Sequence, residues 1–498
     1  MIEQLAEGFY AAFTIYNLLF IFCGVAMGIV FGILPGLGSV TAIAIMIPVT
    51  FYMSPMSAIG FLIGINKGGT SGGAIPAILL NAPGTPEATV TARDGYPLTK
   101  QGKPEKAMKV ALYSSVTGDT FSDAVLILLA APFATVALMF GPVEITSIIL
   151  FAFAMIAALS GKSMLKGIAS AGLGVFLSTV GLDPVTGAQR MTFNIVELYD
   201  GISLNALAIG TLALSAIVTQ LFDLHRKSNE TKVVISKLDR EKQRLTFQEY
   251  KSCLKTIFRS SFIGTLVGML PGLGVTLAAF LGYGAAKRAS DTPEEFGKGC
   301  IEGIAATEAA NSAVCGSNLI PTLALGIPGN IVAALLIGAF MIHGVTPGPL
   351  MMEMHGSLIY GIFASMLMAN VAHLIIGRLG IRIWGQITRV PEAILLPVVI
   401  PLCIAGVYIP SNSMFEVGLM FAFAALAYVM TKTGFSIVSL LIGFLLGPMF
   451  EFSLRQALIL YKGDWSVFIE KPIAVTFICL TILFLWRVSV KSKKRDKN

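Results

Sequence analysis

The chain has 498 residues, of which 55% are hydrophobic and only 13% are charged, and its mean hydropathy is +0.79. Soluble domains carry about 25% charged residues, so this composition excludes one or several soluble globular domains. The formal net charge of +7 includes a basic run at the C-terminus. Because this run is a short tail after an apolar span, it indicates retention in the cytoplasm and not a surface that binds nucleic acid.

Apolar stretches follow one another along the chain and predict an all-α polytopic membrane protein. They lie near residues 12–34, 39–53, 57–65, 72–82, 108–140, 143–159, 164–181 and 202–222, and then near 260–286, 301–342, 356–377, 393–409, 415–430, 434–450 and 472–489. At about 20 residues per span, the chain has room for roughly ten to fourteen membrane segments, with membrane lipid around the protein. The charged stretch between the two groups, 223–259, is predicted to be a basic cytoplasmic linker.

Two motifs occur twice. The sequence GILPGLG at Gly32–Gly38 recurs as GMLPGLG at Gly268–Gly274, and the Ile-Pro and Pro-Gly pairs of residues 75–84 recur in residues 320–329. The second alignment also matches Asn66 with Asn311. We therefore predict a first membrane repeat at 1–222 and a second at 260–498, the latter ending in a basic cytoplasmic tail.

Matched loops of the two repeats differ in charge. Between the motifs, residues 52–57 of the first repeat carry no charge, whereas residues 287–298 of the second include Lys287, Arg288 and Lys298. After the second motif the difference reverses, since residues 93–109 are rich in Lys and Arg and residues 331–354 contain neither. Cytoplasmic loops carry the excess of Lys and Arg, so matched loops are predicted on opposite faces of the membrane. This pattern predicts inverted-topology repeats, as in many secondary transporters.

Each repeat also contains segments that interrupt helices. Proline removes a backbone donor and glycine relaxes the backbone, so the Pro-Gly motifs predict a kink or break, with a tight turn between two helices as the alternative. The polar segments 66–76 and 307–318 lie between apolar arms too short to span a bilayer alone. They predict re-entrant hairpins or discontinuous helices, whose free N–H groups suit carboxylates and whose free carbonyls suit Na⁺.

Candidate site residues come from these segments and from one polar helix face. Those proposed to bind substrate are Gly36, Gly38, Lys67, Thr70, Ser71, Gly272, Gly274, Ser317 and Asn318. Those proposed to couple transport to an ion are Asn66, Asp119, Asp123, Glu308 and Asn311. Lys67 is expected to bind substrate or form an ion pair, and the alternative is extension to the interface. Thr70 and Ser71 are alternatively packing residues, and Glu308 is alternatively a helix-start carboxylate. The role shared by Asn66 and Asn311 is alternatively structural, and Asp119 and Asp123 alternatively form a water-lined structural face.

Motifs of ATP-driven motors and metalloproteases are absent from the sequence. It contains no GxxxxGK[ST] and no HExxH, and no nucleophile–base pair stands out, so neither an ATP-driven motor nor a hydrolase is predicted. The six cysteines are scattered, which indicates packing thiols and no metal site. No cofactor is expected beyond a coupling cation, Na⁺ or H⁺.

The motifs resemble those of the TctA family, the large permease subunit of tripartite tricarboxylate transporters, over essentially the whole chain. The resemblance rests on the paired LPGLG motifs and on Leu79–Pro86, Asp94–Pro97, Leu325–Gly329 and Met341–Pro349. It implies uptake of a carboxylate across the bacterial inner membrane, driven by an ion gradient, with a small membrane subunit and a periplasmic solute-binding protein as partners.

One segment departs from the family pattern. Asn66–Gly73 reads NKGGTSGG, where the family has a tyrosine- and glycine-rich stretch. Lys67 therefore indicates a different substrate or a subfamily. The alternatives to a binding-protein-dependent permease are a stand-alone ion-coupled carrier, a channel and an intramembrane enzyme.

Overall fold

The computed structural model describes residues 2–34, 37–159, 163–183, 185–224, 243–270, 274–387 and 392–495. Helices dominate both repeats. The first repeat contains α1 (Ile2–Ala12), α2 (Ile15–Ile33), α3 (Gly38–Met46), α4 (Pro55–Gly72), α5 (Ala74–Leu80), α6 (Ala88–Lys100), α7 (Pro104–Ala137), α8 (Pro142–Leu159), α9 (Met164–Ser178), α10 (Leu204–Ala208) and α11 (Ser215–Leu224).

The second half of the chain, which keeps the name second repeat from the sequence motifs, is also helical. It contains α12 (Phe247–Gly268), α13 (Gly274–Ala289), α14 (Ile301–Ser317), α15 (Leu319–Leu325), α16 (Ile331–Ile342), α17 (Met351–Met354), α18 (Gly356–Ile387), α19 (Glu392–Ser411), α20 (Met414–Thr433), α21 (Ile437–Leu460), α22 (Val467–Glu470) and α23 (Pro472–Arg495). Thr246 and Glu249 form a capping box that starts α12. Residues 247–259 of the predicted linker are therefore helical, and residues 225–242 lie outside the described residues.

Shorter elements connect these helices. Single 3₁₀ segments occur at Ile47–Tyr52, Val196–Leu198 and Pro293–Glu295, and a π-helical segment, Ile209–Leu214, joins α10 to α11. Two short strands, β1 (Gly181–Leu182) and β2 (Gln189–Arg190), pair antiparallel with Gly181 opposite Arg190. This hairpin is a local exception to the all-α prediction.

Four of the described helices are long and apolar enough to cross a membrane: Ile15–Ile33, Gly356–Ile381, Met414–Thr433 and Ile437–Leu460. This is fewer than the roughly ten to fourteen spans for which the chain has room. Side chains of α8, α19 and α23 lie partly outside the described residues, so these helices enter the count only as shorter segments. Some apolar segments form shorter helices, such as Met164–Ser178 and Ile331–Ile342, and the 34-residue α7 buries charged side chains.

Both repeats contain one broken helix at matched positions: α4 with α5, and α14 with α15. Helix α4 ends at Gly72 and helix α14 ends at Ser317, in each case four residues before a proline, Pro76 or Pro321. A proline cannot donate to the carbonyl four residues earlier, and its ring crowds that carbonyl. The helices are therefore interrupted at one residue each, Gly73 and Asn318, whose backbone angles stay helical, and the polar segments before these residues are helical.

The chain reverses direction after each broken helix through a left-handed residue. Asn81 has φ +57° at the end of α5, and Gly326 has φ +71° at the end of α15. The two residues are 245 positions apart, like the motifs that contain them. Left-handed caps of this kind favour glycine or asparagine.

Each repeat has a long helix, α7 or α18, that packs against the broken helix of the other repeat. Helix α7 of the first repeat packs along α14 of the second, and α18 of the second packs against α2 and α4 of the first. Within each repeat, α2 packs on α4 and α12 packs on α14. The two broken helices therefore lie in the centre of the molecule, each flanked by a long helix from the other repeat.

Glycine brings α2 and α4 into backbone contact. A Cβ atom added at Gly24, Gly28 or Gly32 would lie 2.2, 2.3 or 2.4 Å from a carbonyl oxygen of α4. Glycines of α4 at positions 64, 68 and 72 face α2 in the same way. Small residues of this spacing let membrane helices approach closely, which explains the glycine content of α4 without any unwinding of its backbone.

Asp94 on α6 fastens the connection between α13 and α14. Its buried carboxylate accepts hydrogen bonds from the backbone N–H groups of Gly297, Gly299 and Cys300 at 2.8, 3.0 and 2.9 Å. Its second oxygen accepts one from the Tyr283 hydroxyl at 2.9 Å. Because α14 begins directly after Cys300, the carboxylate holds in place the segment that leads into α14.

Replacement of Asp94 by alanine is expected to loosen this connection selectively. A hydrogen bond to a charged group contributes about 1.5–3 kcal/mol, and the variant removes four. Amide hydrogen exchange at residues 297–300, followed by mass spectrometry, should become at least tenfold faster. The exposed Asp291, on the same connection, provides the control: Asp291→Ala should exchange like the unaltered chain, and equal rates in both variants would contradict the role of Asp94 in holding this connection.

Candidate functional site

Lys67 is buried in α4 and its charge is neutralised inside the protein. Its Nζ atom lies 2.8 Å from Asp123 Oδ2 and 3.4 Å from Asp119 Oδ1, both on α7. It also donates a hydrogen bond of 2.8 Å to Asn370 Oδ1 on α18. The ammonium group thus makes hydrogen bonds to Asp123 and Asn370 and an ion pair without a hydrogen bond to Asp119. The structure therefore shows the ion pair and not extension to the interface.

Asn370 is a site residue that the sequence analysis missed. Its Nδ2 atom donates to Asp123 Oδ2 at 2.8 Å and to Thr120 Oγ1 at 3.2 Å. The available signal was an amide inside an apolar span, Gly356–Ile381, since polar residues in such spans are usually functional. We refer to Lys67, Asp119, Asp123 and Asn370 as the Lys67 cluster.

The Lys67 cluster has an excess of negative charge. It contains one ammonium group and two carboxylates, and each of the three side chains is at least 99% buried. Neither oxygen of Asp119 and only one of Asp123 has a hydrogen-bond partner in the described structure. Buried charges without full compensation are costly, so the cluster has the electrostatic properties of a site for a cation or a proton.

The cluster is one end of a polar seam between α7 and α14. The residues of the seam recur every three or four positions on each helix, and all of them are buried. They are Ser115, Asp119, Ser122 and Asp123 on α7, and Glu308, Asn311, Ser312 and Cys315 on α14. Glycines allow the close approach. A Cβ atom at Gly118 would lie 2.4 Å from the Ala309 carbonyl oxygen, and one at Gly316 would lie 2.4 Å from Asp123 Oδ1.

Glu308 lies at the other end of the seam. Its carboxylate accepts hydrogen bonds from Thr91 Oγ1 at 2.5 Å and from Ser115 Oγ at 3.0 Å. The residue is fully buried in the middle of α14 and not in its first turn, where Glu302 lies. Its environment is therefore a hydroxyl-lined pocket and not the helix start that the dipole alternative requires. We refer to Glu308, Thr91 and Ser115 as the Glu308 cluster.

The matched asparagines lie on the two broken helices. Asn66 and Asn311 are both buried, and neither side-chain atom of Asn311 has a hydrogen-bond partner in the described structure. Thr70 and Cys315, also 245 positions apart, contact each other at 3.5 Å between Oγ1 and Sγ. Contact between equivalent residues is what a twofold axis between the repeats would produce.

The remaining candidates lie near the ends of the broken helices. They differ in whether their polar atoms already form hydrogen bonds within the protein. The Ser317 hydroxyl donates to the Ala313 carbonyl at 2.8 Å, so the helix backbone already uses it. The Asn318 amide is buried and has no partner in the described structure. Ser71 lines a small cavity with His373 on α18. Asn318 and Ser71 are therefore the more available of the candidate substrate ligands.

The Pro-Gly motifs are only partly within the described residues. Gly36 and Gly272 lie outside them, so their predicted role as substrate ligands remains a prediction. Gly38 and Gly274 close the two motifs with φ +50° and +69°, conformations that other residues rarely adopt. Each begins the helix that follows its motif, α3 or α13, so both repeats use glycine for the same change of direction.

No group of three or more His, Cys, Asp or Glu side chains with the arrangement of a metal site occurs among the described residues. The Lys67 cluster and the Glu308 cluster offer a bound ion the oxygen atoms of carboxylates, amides and hydroxyls. Such oxygen ligands suit a proton or a hard monovalent cation.

Comparison with known proteins places this arrangement in a family. The model of the tripartite tricarboxylate transporter TctA family matches residues 18–442. The chain belongs to the TctA family. Membership confirms the resemblance seen in the sequence and identifies the chain as a multi-pass membrane protein of a transporter family.

Two TctA-like relatives come from Agrobacterium vitis. An uncharacterized 52.8 kDa protein in the TAR-I ttuC' 3' region is 35% identical over 502 residues, covering 100% of this chain and 98% of that protein. An uncharacterized protein in the TAR-II ttuC' 3' region is 38% identical over 236 residues, covering 46% of this chain and 97% of that protein. No solved structure gives a significant match.

Proposed function

We propose that this TctA-family chain is the large permease subunit of a secondary transporter that imports a carboxylate together with a cation. The observation that carries the proposal is the meeting of the two broken helices at a buried polar seam that joins the repeats. Ionisable groups inside a membrane protein are costly and are retained for transport and coupling. The family match supports tricarboxylate-like solutes as the transported class, and the buried carboxylates of the seam support coupling to a cation.

The cation is assigned to the acidic side chains of the seam. The Lys67 cluster carries one more negative than positive charge, and Glu308 has hydroxyl partners but no cation in contact within the described residues. In this proposal Lys67 holds the two aspartates in place and its ammonium group is not a substrate ligand. Asn66 and Asn311 supply further oxygen ligands beside them.

The carboxylate is assigned to donors at the breaks in the helices. Burying a carboxylate requires replacement of its hydration by hydrogen-bond donors. Ser71, Thr70 and the Asn318 amide supply such donors, and Gly38 and Gly274 allow backbone N–H groups of the Pro-Gly motifs to approach. The site then lies between the repeats, where the substrate and the cation partly neutralise each other.

The orientation and partners follow from the same proposal. Inverted repeats place the basic residues of 92–109 and 285–299 and the tail in the cytoplasm, and the contact between Thr70 and Cys315 supports a twofold relation of the repeats. The chain then resides in the bacterial inner membrane, with a small membrane subunit beside it. A periplasmic solute-binding protein delivers the substrate on the opposite face.

Uptake of labelled carboxylates tests this function. In cells that lack the gene, uptake of ¹⁴C-labelled citrate, malate or succinate should be lost, and the plasmid-borne chain should restore it. Right-side-out membrane vesicles lose periplasmic proteins, so their uptake should require added periplasmic extract. Uptake without extract would favour a stand-alone carrier, and no change for any di- or tricarboxylate would contradict the proposal.

Replacement of Glu308 by glutamine tests the coupling assignment. The variant preserves size and hydrogen bonding but removes the charge, so uptake should fall at least tenfold at an unchanged amount of membrane-inserted protein. Glu295→Gln, which changes an exposed residue before α14, is the matched control and should transport normally. Wild-type uptake in Glu308→Gln would remove the Glu308 cluster from the coupling site.

A further inference from the structure

A cavity of about 540 Å³ lies where α20 joins α21, beside the start of α9. Ser163 and Lys166 line it from α9, and residues 431–438 line it from the two other helices and the turn between them. Helices α20 and α21 are each long and apolar enough to cross a membrane, so the turn between them lies at a membrane surface. Ligand sites commonly measure about 300–1,000 Å³, so the cavity has room for a small ligand at the depth of the lipid headgroups.

Hydrogen bonds and close packing fix the walls of this cavity. Lys166 Nζ donates to the Thr433 carbonyl oxygen at 2.6 Å, and the Ser436 backbone N–H donates to Ser170 Oγ at 3.1 Å. Farther along α21, a Cβ atom added at Gly443 would lie 2.3 Å from a carbonyl oxygen of α9. The packed ends of α9, α20 and α21 therefore form the cavity, and it is present without any change of conformation.

Two lysines make this cavity positively charged. Lys166 and Lys432 both line it, and none of its lining residues is acidic. The segments that carry the two lysines, residues 145–182 and 417–450, contain no Asp or Glu. The Lys166 ammonium group uses one of its three donors on a backbone carbonyl, and the Lys432 ammonium group lies 5.5 Å from the centre of the Tyr428 ring. The cavity therefore has an excess of two positive charges.

Exposed apolar side chains adjoin both lysines. Leu165 and Ile168 are exposed beside Lys166 on α9, and Val429 is exposed one turn before Lys432 on α20. A ligand that reaches the lysines from the lipid side would therefore place an apolar part against these three residues. A phospholipid combines a charged phosphate group with apolar chains in this way, whereas a soluble anion has no apolar part to place there.

We propose that this cavity binds the phosphate group of an anionic phospholipid through Lys166 and Lys432. Lysine ammonium groups form charge-assisted hydrogen bonds with phosphate oxygens. The rest of the headgroup occupies the remaining volume, and the acyl chains lie along Leu165, Ile168 and Val429. A zwitterionic phospholipid brings an ammonium group of its own, which the two lysines repel. The site is separate from the seam between α7 and α14, so this proposal goes beyond the proposed transport function and does not depend on it.

Native mass spectrometry of the delipidated full-length chain in a neutral detergent tests this site. The first phosphatidylglycerol molecule should bind at least tenfold more tightly than the first phosphatidylcholine molecule. Lys166→Gln with Lys432→Gln removes the two charged donors and should weaken the binding of phosphatidylglycerol about tenfold. Lys432→Gln alone changes an exposed side chain and should weaken it at least threefold, which excludes a loss of folding as the cause. Equal affinity for the two lipids, or full binding in the double variant, would overturn the proposal.

A matched variant and a soluble competitor complete the test. Lys287→Gln with Lys298→Gln removes the same charge from a connection that also carries Asp291, Glu294 and Glu295, and it should bind phosphatidylglycerol like the unaltered chain. An equal loss there would show a general effect of net charge and overturn the site. Sodium phosphate should displace no more lipid than sodium chloride of equal ionic strength. Stronger displacement by phosphate would overturn the lipid as the ligand and identify a soluble phosphate in its place.

Discussion

Replacement of Lys67 by methionine is expected to have the largest effect of any single substitution in the seam. The variant leaves Asp119 and Asp123 buried and without their cation, and breaking a buried ion pair in this way costs about 3–5 kcal/mol. The melting temperature of the purified protein should fall accordingly, and uptake should fall below detection. The exposed Lys255 on α12 gives the matched control, Lys255→Met, which should melt and transport normally.

A combined variant separates stability from coupling. Lys67→Met together with Asp119→Asn and Asp123→Asn removes all three charges while preserving shape. No charge then remains buried without a partner, which is the main cost of breaking a buried ion pair. Its melting temperature should therefore return toward the wild-type value, while uptake should stay absent. Melting of Lys67→Met at the wild-type temperature would show that the ion pair does not stabilise the folded protein.

Replacement of Gly28 by leucine is expected to prevent correct packing of the first repeat. Its Cβ atom alone would lie 2.3 Å from the Ile65 carbonyl oxygen and 2.8 Å from the Gly69 nitrogen. Overpacking typically costs about 1–3 kcal/mol and more where backbone must move, and here both opposing atoms belong to the backbone of α4. Size-exclusion profiles of the detergent-solubilised variant should show aggregate in place of the monodisperse peak.

The control for this substitution lies on a different helix. Gly418 on α20 is also in a helix, and an added Cβ atom would meet nothing within 4 Å. Gly418→Leu should therefore keep a monodisperse profile. If Gly28→Leu behaves in the same way, the close backbone contact between α2 and α4 does not form.

The sequence predicted those parts of the site that depend on spacing within one helix or on the internal repeat. Asp119 and Asp123 were placed on one face because they are four residues apart, and Asn66 was matched with Asn311 because the motifs around them recur. The discontinuous helices were predicted from proline, glycine and short apolar arms. Each of these inferences uses the local geometry of a helix, which a single sequence contains.

Contacts between distant segments could not be predicted in this way. The bond from Lys67 to Asn370 joins residues 303 positions apart, and the bonds of Asp94 reach residues 203 to 206 positions away. They arise because a long helix of each repeat packs against the other repeat. Neither Asn370 nor Asp94 stands at a helical spacing from its partner in the sequence, so the sequence does not indicate the pairing. The polar segment of α4 was also expected to interrupt the helix. Its glycines suggest a flexible backbone until it is known that α2 packs against them.

The packing of a long helix of each repeat against the other repeat constrains the order in which the protein can assemble during synthesis. When α7 leaves the ribosome, Lys67 has already been made and can shield Asp119 and Asp123. The opposite wall of the seam, α14, is translated only after α8 to α13, and Asn370 later still. The insertion machinery must therefore keep a charged helix in the membrane while more than a third of the chain is added. Truncated nascent chains that end before α14 should accordingly be recognised as incomplete by membrane proteases.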